Sequence, residues 1–151
     1  MKRTLLAFFY FIPFFTLFAQ SLEWKTSVSE AMELSNESRK PMMILFTANN
    51  MESIMQEEIF KTYDFEEWCR KNVILVRLDL SDGKLDQEII DKNIKLKNAF
   101  GVEQLPIVCF ANANIRRDKI IYQLLGKLTY DRSGVRSWIS KSDRVINAEE
   151  Y

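Results

Sequence analysis

The sequence contains no histidine, and this absence narrows the chemistry that the chain can perform. Histidine is the commonest general base near neutral pH and the commonest protein ligand of metals. Two cysteines, Cys69 and Cys109, stand far apart in the chain and cannot form a zinc site by themselves. We therefore expect no bound metal, and no motif indicates another cofactor.

Glycine, proline and net charge are also scarce. The 151 residues include 4 glycines and 3 prolines, and the formal net charge is +0. There is no repeat and no Gly/Ser linker, and a hydrophobic content of 47% is ample for one domain with its own core. A balanced charge gives no electrostatic signature of nucleic-acid binding, so we expect no nucleic-acid partner.

The first residues differ in composition from the rest of the chain. Two basic residues precede an almost wholly apolar run from Leu5 to Phe18, and the small residue Ala19 follows. This three-part layout predicts a signal peptide over residues 1–19, because the run is shorter than the roughly 20 residues that span a membrane. We expect export to the periplasm or the extracellular space and a mature domain at residues 20–151. Contact with a membrane is expected only if the segment stays uncleaved.

A short apolar run and the helix after it mark the centre of the domain. Residues 42–46 are all apolar, which predicts a strand buried on both faces. Apolar residues then recur at helical spacing, which predicts an amphipathic helix; they are Met51, Ile54, Met55 and Ile59. The free N–H groups at the start of this helix are a favourable place for binding or chemistry.

Two interpretations of this helix start remain open. Asn49 and Glu52 have the spacing of a capping box, in which the two side chains satisfy free backbone N–H groups. Alternatively, Asn49, Asn50 and Glu52 bind a polar ligand, although Glu52 would repel an anion.

The remaining pattern predicts the order β-α-β-α-β-α-β-β-α. Capping boxes at Ser27–Glu30 and Asp64–Glu67 start two helices, and Gly101 ends a third. The predicted strands and late segments are a short edge strand at 22–25, strands at 73–80 and 107–111, a turn at Asn112–Asn114, a return strand at 119–125 and a last helix from Thr129 or Asp131. Alternation of strands and helices favours an α/β fold with a mixed sheet covered on both faces.

Several segments together resemble a thioredoxin-like domain of the secreted bacterial type. They are Lys40-Pro41, Phe46-Thr47, Glu58-Ile59-Phe60, Val73 to Asp79, and Phe100-Gly-Val-Glu-Gln-Leu-Pro106. The resemblance extends from Trp24 to Ile146, and it implies a three-layer α/β/α sandwich with a mixed central sheet. It also implies that the last of these segments is a turn into a cis-proline.

The family's redox motif is absent from this chain. In thioredoxin-like proteins a Cys-x-x-Cys motif follows the central strand, and its first cysteine is a nucleophile of lowered pKa. Alignment from the strand places the two positions at Met51 and Ile54, whereas alignment from the following helix places them at Asn49 and Glu52. None of these residues is cysteine.

The resemblance leaves two hypotheses about function. In this family the cis-proline loop lies beside the helix start and pairs with an extended substrate, which implies a polypeptide partner. The first hypothesis is a non-enzymatic polypeptide-binding or structural module, with a candidate groove formed by Asn49, Asn50, Met51, Glu52, Leu105 and Pro106. The second is a relative of the thiol-disulfide oxidoreductases that acts through a single cysteine or a partner.

The two cysteines have three open interpretations. Free cysteine commonly packs as a small apolar residue, which is the leading interpretation of both Cys69 and Cys109. A disulfide between them would be favoured by an oxidising compartment. A reactive thiol needs a nearby cation or helix start, and Arg70 next to Cys69 is the candidate cation.

Overall fold

The computed structural model describes residues 22–117 and 119–148. The predicted signal peptide, residues 1–19, and its cleavage point lie outside the described residues. Within the described part, none of the helices has the length and apolar character needed to cross a membrane.

Helices and strands follow one another in the predicted order from residue 28 onward, with several helical segments between the first two strands. They are α1 (Val28–Ser38), β1 (Met42–Thr47), α2 (Ser53–Met55), a π-helical turn (Gln56–Phe60) that continues α2, α3 (Tyr63–Asn72), β2 (Ile74–Asp79), α4 (Gln87–Ala99), β3 (Ile107–Arg116), β4 (Lys119–Leu128) and α5 (Val135–Ile146). The predicted first strand is reduced to one parallel bridge between Lys25 and Val76.

The four strands form one mixed sheet in the order β2-β1-β3-β4. β1 is parallel to β2 and antiparallel to β3, and β3 and β4 form a hairpin. The α/β class and the mixed sheet are therefore confirmed. β1 lies in the interior of the sheet, so the loop that follows it emerges between two neighbouring strands.

Side chains of β1 alternate between two apolar layers. Met42, Ile44 and Phe46 pack with residues of α1 and with Phe100, whereas Met43 and Leu45 pack with α3 and α5. This alternation follows from the two-residue period of a strand. Because both faces are covered by helices, all six residues of β1 are buried, and the three-layer α/β/α sandwich is confirmed. Each large apolar side chain buried in this way contributes on the order of 1.5–3 kcal/mol.

One predicted cap is confirmed and another is wrong. The Ser27 hydroxyl accepts a hydrogen bond from the Glu30 backbone N–H at 3.4 Å, as expected at the start of α1. The box at Asp64–Glu67 does not start α3, because Thr62 already caps it by accepting a bond from the Phe65 N–H at 3.3 Å. A hydroxyl two residues upstream thus takes the role assigned to Asp64.

The predicted turn at Asn112–Asn114 is also wrong. These residues lie inside β3, where they face Gln123, Tyr122 and Ile121 of β4. β1 pairs with β3 only as far as Ala111, so the hairpin continues beyond the central strand. Polar side chains are tolerated there because the extension is covered less completely than the centre of the sheet, and Asn114 is exposed.

The last helix begins later than predicted. α5 starts at Val135 after Gly134, whose φ of 84° is favoured by glycine, and not at Thr129 or Asp131. Asp131 instead holds the preceding loop, because its carboxylate accepts bonds from Lys141 Nζ at 2.5 Å and from the Ser133 hydroxyl at 2.5 Å. These bonds hold the pKa of the Asp131 carboxyl well below its usual value.

Candidate functional site

The loop after β1 has a conformation that the sequence does not reveal. Asn49 and Asn50 both adopt the left-handed region, with φ of 49° and 56°. Asparagine tolerates this region better than most residues. The Asn49 N–H donates to the Ser81 hydroxyl at 2.8 Å, and that hydroxyl donates to Asp79 at 2.6 Å. The loop is thereby tied to the end of β2.

The predicted capping box at this helix start is wrong. α2 begins at Ser53, so the capping position falls on Glu52, and its side chain makes no capping bond. Asn49 lies too early in the chain to cap the helix. The consecutive left-handed residues turn the backbone before the helix starts, and this turn moves the cap position away from Asn49.

Glu52 is buried directly after this turn. Its side chain is 3% exposed, its Oε1 accepts a bond from Arg77 Nη2, and its Oε2 accepts one from the Thr47 hydroxyl. Both carboxylate oxygens therefore have partners within the protein, as a buried charge requires. Arg77 comes from the neighbouring strand β2 and remains 35% exposed. The carboxylate of the pair is thus buried, while its cation reaches the surface, and Met51 on the same loop is exposed.

A groove of about 280 Å³ lies at this end of the sheet. Its walls come from the start of the second helix, the loop before β3 and the loop after β4; the lining residues are Met51, Ile54, Met55, Gln104, Leu105, Pro106, Thr129, Tyr130 and Arg132. Met51 is 50% exposed and Ile54 is 41% exposed. The predicted residues Met51, Leu105 and Pro106 are brought together, whereas Asn49, Asn50 and Glu52 do not line this groove.

The Leu105–Pro106 loop lines the groove and has two unusual backbone features. The Leu105–Pro106 bond is cis. Within residues 22–117 and 119–148, neither the N–H nor the C=O of Leu105 makes a backbone hydrogen bond. Met51 and Ile54 line the same groove as this loop, whereas Asn49 and Glu52 do not.

The opposite wall of the groove is held by contacts to the helical layer. The Tyr130 hydroxyl donates to Glu58 Oε2 at 2.5 Å, and the Tyr130 ring lies 6.2 Å from the Trp138 ring, centroid to centroid. The bond to Glu58 raises the pKa of Tyr130. Arg132 supplies a cation at the rim and has a left-handed φ of 59°.

Both cysteines are free and buried. Cys69 packs with the α3 and α5 layer, while Cys109 packs on the opposite face of the sheet. The interpretation of the two as a disulfide is therefore wrong. Burial raises the pKa of the Cys69 thiol to about 11, against the lowering effect of Arg70, and raises that of Cys109 to about 12. Neither thiol lines the groove.

Sequence reasoning missed Arg77, Tyr130 and Arg132. Arg77 interrupts an otherwise apolar strand, and this interruption is a signal for a buried ionic partner. The sequence predicts that the last helix starts at Thr129 or Asp131, which places Tyr130 and Arg132 at the start of that helix and not at the groove. In the part of the chain that the structure describes, no cluster of three or more Cys, Asp or Glu side chains is arranged to hold a metal ion.

The mixed sheet, the helix after its central strand and the adjacent cis-proline loop together define a thioredoxin fold. The family model described as a thioredoxin-like domain matches residues 28–120. The chain therefore belongs to the thioredoxin-like domain family, as the sequence resemblance predicts.

Comparison with individual proteins relates the chain to disulfide oxidoreductases of the DsbH kind. It is 26% identical to the disulfide bond reductase DsbH of Chlamydia pneumoniae over 127 residues. This matched region covers 82% of this chain and 72% of the relative. A solved DsbH oxidoreductase is 22% identical, with a TM-score of 0.69 and coverage of 84% of this chain and 85% of that chain. A thioredoxin from Thermus thermophilus is 13% identical, with a TM-score of 0.61 and coverage of 83% and 87%. These two structures establish the shared fold.

Proposed function

We propose that this protein is an exported, non-enzymatic thioredoxin-like domain that binds an extended segment of a polypeptide in its groove. The observation that carries the proposal is the exposure of Met51 and Ile54 beside the Leu105–Pro106 loop. In the alignment made from the central strand, these two apolar side chains fall at the positions of the family's two cysteines. The surface is kept while the reactive groups are replaced.

The free backbone of Leu105 supports an extended ligand. A peptide strand that lies along this loop gains hydrogen bonds from its N–H and C=O groups, which is the usual way in which a protein edge recruits a strand. Alternate side chains of the bound strand then point toward the groove. Met51 and Ile54 favour an apolar side chain at that position, because burying apolar surface on both partners is favourable.

The buried thiols weigh against the second candidate, a redox protein that uses one cysteine. Thiol–disulfide exchange requires an accessible thiolate. Cys69 and Cys109 are 2% and 0% exposed. Burial also raises the pKa of both thiols above the usual range, which keeps them protonated near neutral pH.

Export is the part of the proposal that depends on the N-terminal sequence. We expect the protein recovered from outside the cytoplasm to begin at Gln20, and intact-mass measurement of that protein checks the expectation. A mass that includes residues 1–19 would contradict cleavage and show that the segment is retained.

The binding surface is tested by titrating the isotopically labelled protein with a panel of extended ten-residue peptides, followed by NMR. We expect chemical shift changes at Met51, Ile54 and the Gln104–Pro106 loop. The variant Ile54→Asp removes an apolar wall residue, and Ile89→Asp is its matched control. Ile54 is 41% exposed and Ile89, on α4, is 39% exposed, so the two substitutions replace side chains of similar exposure.

We expect Ile54→Asp to weaken binding about tenfold, a loss typical of an apolar contact of this size, and Ile89→Asp to leave it unchanged. Equal affinity of the two variants for the peptides would refute the groove as the binding site. Reduction of insulin disulfides by the wild-type protein would refute the non-enzymatic assignment and support the redox candidate.

A further inference from the structure

Met51 stands apart from the other methionines that the structure describes. It is 50% exposed, whereas Met32, Met42, Met43 and Met55 are 5% exposed or less. Both cysteines are also buried. Among the described residues that contain sulfur, Met51 is therefore the only one whose side chain is substantially exposed to solvent.

This accessibility matters because a thioether is oxidised by peroxides. Hydrogen peroxide transfers one oxygen atom to the sulfur: the O–O bond breaks, an S–O bond forms, and water is released. Methionine is oxidised by two electrons to methionine sulfoxide, and the peroxide is reduced by two. The product replaces a flexible apolar group by a polar one.

We propose that Met51 is a site of modification by peroxide, and that its sulfoxide switches the groove from an apolar to a polar surface. The inference rests on the proposed function for its effect on binding, but the modification itself does not. The groove thus keeps a redox-sensitive sulfur atom, although this sulfur takes up oxygen and cannot exchange disulfides.

The surrounding contacts confine the change to the surface. Met51 lines the groove together with Ile54 and Leu105, so a sulfoxide places a polar oxygen against apolar partners. Glu52, the next residue, is held independently by Arg77 and Thr47. We therefore expect the loop to keep its conformation when Met51 is oxidised, and the effect to be a loss of ligand affinity without unfolding.

The modification is tested by exposing the native protein to graded hydrogen peroxide and mapping oxidised methionines by peptide mass spectrometry. We expect Met51 to gain one oxygen at least tenfold faster than Met55, its buried neighbour in the same groove. In denaturant the two rates should converge, because only burial separates them. Equal rates in the native protein would overturn the proposal.

The switch is tested on peptide binding with Met51→Leu and the matched variant Met55→Leu. Peroxide should weaken binding by wild type and by Met55→Leu about tenfold, and leave Met51→Leu unaffected. Treatment with the two epimer-specific methionine sulfoxide reductases and a dithiol should restore the affinity. Equal peroxide sensitivity in Met51→Leu would overturn the switch. If the untreated protein binds no peptide, the proposed function fails, while the oxidation map still decides whether Met51 is the modified residue.

Discussion

β1 and the loop that follows it obey opposite patterns of burial. In β1 all six side chains are buried, and five of them are apolar. A few residues later, apolar Met51 is half exposed, whereas acidic Glu52 is 3% exposed. The difference teaches that polarity does not decide burial at this site. Glu52 is inside because Arg77 and Thr47 satisfy its carboxylate, and Met51 is outside because it forms a wall of the groove.

The largest expected effect comes from breaking the buried charge pair. Arg77→Met keeps an apolar stem but leaves the Glu52 carboxylate buried without its cation. We expect the free energy of unfolding to fall by about 3 kcal/mol, which urea denaturation monitored by circular dichroism measures.

A double variant provides the control for this pair. Glu52→Gln together with Arg77→Met removes both charges, and we expect it to be more stable than Arg77→Met alone. A loss below about 0.5 kcal/mol in the single variant, the size expected of an exposed pair, would contradict the importance of the buried pair.

The contact between β4 and α5 gives the second prediction. A Cβ atom on Gly126 of β4 would lie 2.7 Å from Val145 Cγ1 of α5. Valine is stiff in a helix, so Gly126→Ala forces the helix and the strand apart, and we expect a loss of about 2 kcal/mol in stability. Gly83→Ala is the control, because nothing lies within 4 Å of its Cβ position. Equal stability of the two variants would show that this contact adapts without cost.

The raised pKa values of the buried thiols predict that the folded protein loses stability at high pH. The pKa of Cys69 is about 11 and that of Cys109 about 12 in the folded protein, above the ordinary value of 9.0. Their contribution to stability is complete below pH 9 and is lost as the pH rises toward the folded values, because the unfolded thiols release protons first.

We expect each thiol to reduce the free energy of unfolding by at most about 1.4 kcal/mol per pH unit in that range. Denaturation of the wild type and of Cys69→Ala/Cys109→Ala between pH 8 and 10.5 measures the two slopes. A wild-type slope no steeper than that of the variant would contradict the assignment.

The smallest effect is expected from an exposed pair of the same charge type as the buried one. Lys61 and Glu57 form an ion pair one helical turn apart, and both side chains are more than half exposed. Lys61→Ala should cost about 0.3 kcal/mol, measured by urea denaturation as above, since water screens such pairs. A cost equal to that of Arg77→Met would remove the distinction between the Glu52–Arg77 pair and ordinary surface charges.

The strands and helices could be predicted because their signals are local. Apolar residues 42–46 and the helical spacing of Met51, Ile54 and Ile59 each report on one element. The pairing of Glu52 with Arg77 could not be predicted, because it depends on the parallel register that places Arg77 opposite Leu45. The sequence predicts a turn at Asn112–Asn114 because it does not show that β3 continues beyond the residues that pair with β1.

The groove was predictable in part. Met51, Leu105 and Pro106 followed from the family resemblance, and the structure places them together. The sequence predicts Asn49 as a helix cap, but its backbone is left-handed and its N–H binds the hydroxyl of Ser81, a contact with a distant part of the chain that the local pattern does not show. The place of Tyr130 at the groove could not be predicted, because the sequence favours Asp131 as the start of a helix. In the structure the Asp131 carboxylate binds Lys141 and Ser133 instead.

The extension of the β3–β4 hairpin beyond β1 has a consequence for how copies of the protein meet in solution. β4 has one strand neighbour in the described sheet, so its outer edge offers backbone groups to which another strand could add. Arg116, Arg117 and Lys119 outnumber Asp118 at the end of this hairpin, so the net charge of residues 116–119 is positive. We expect this charge to disfavour the pairing of two copies along β4, as charged residues on edge strands do. Such protection is electrostatic and therefore weakens as the ionic strength rises.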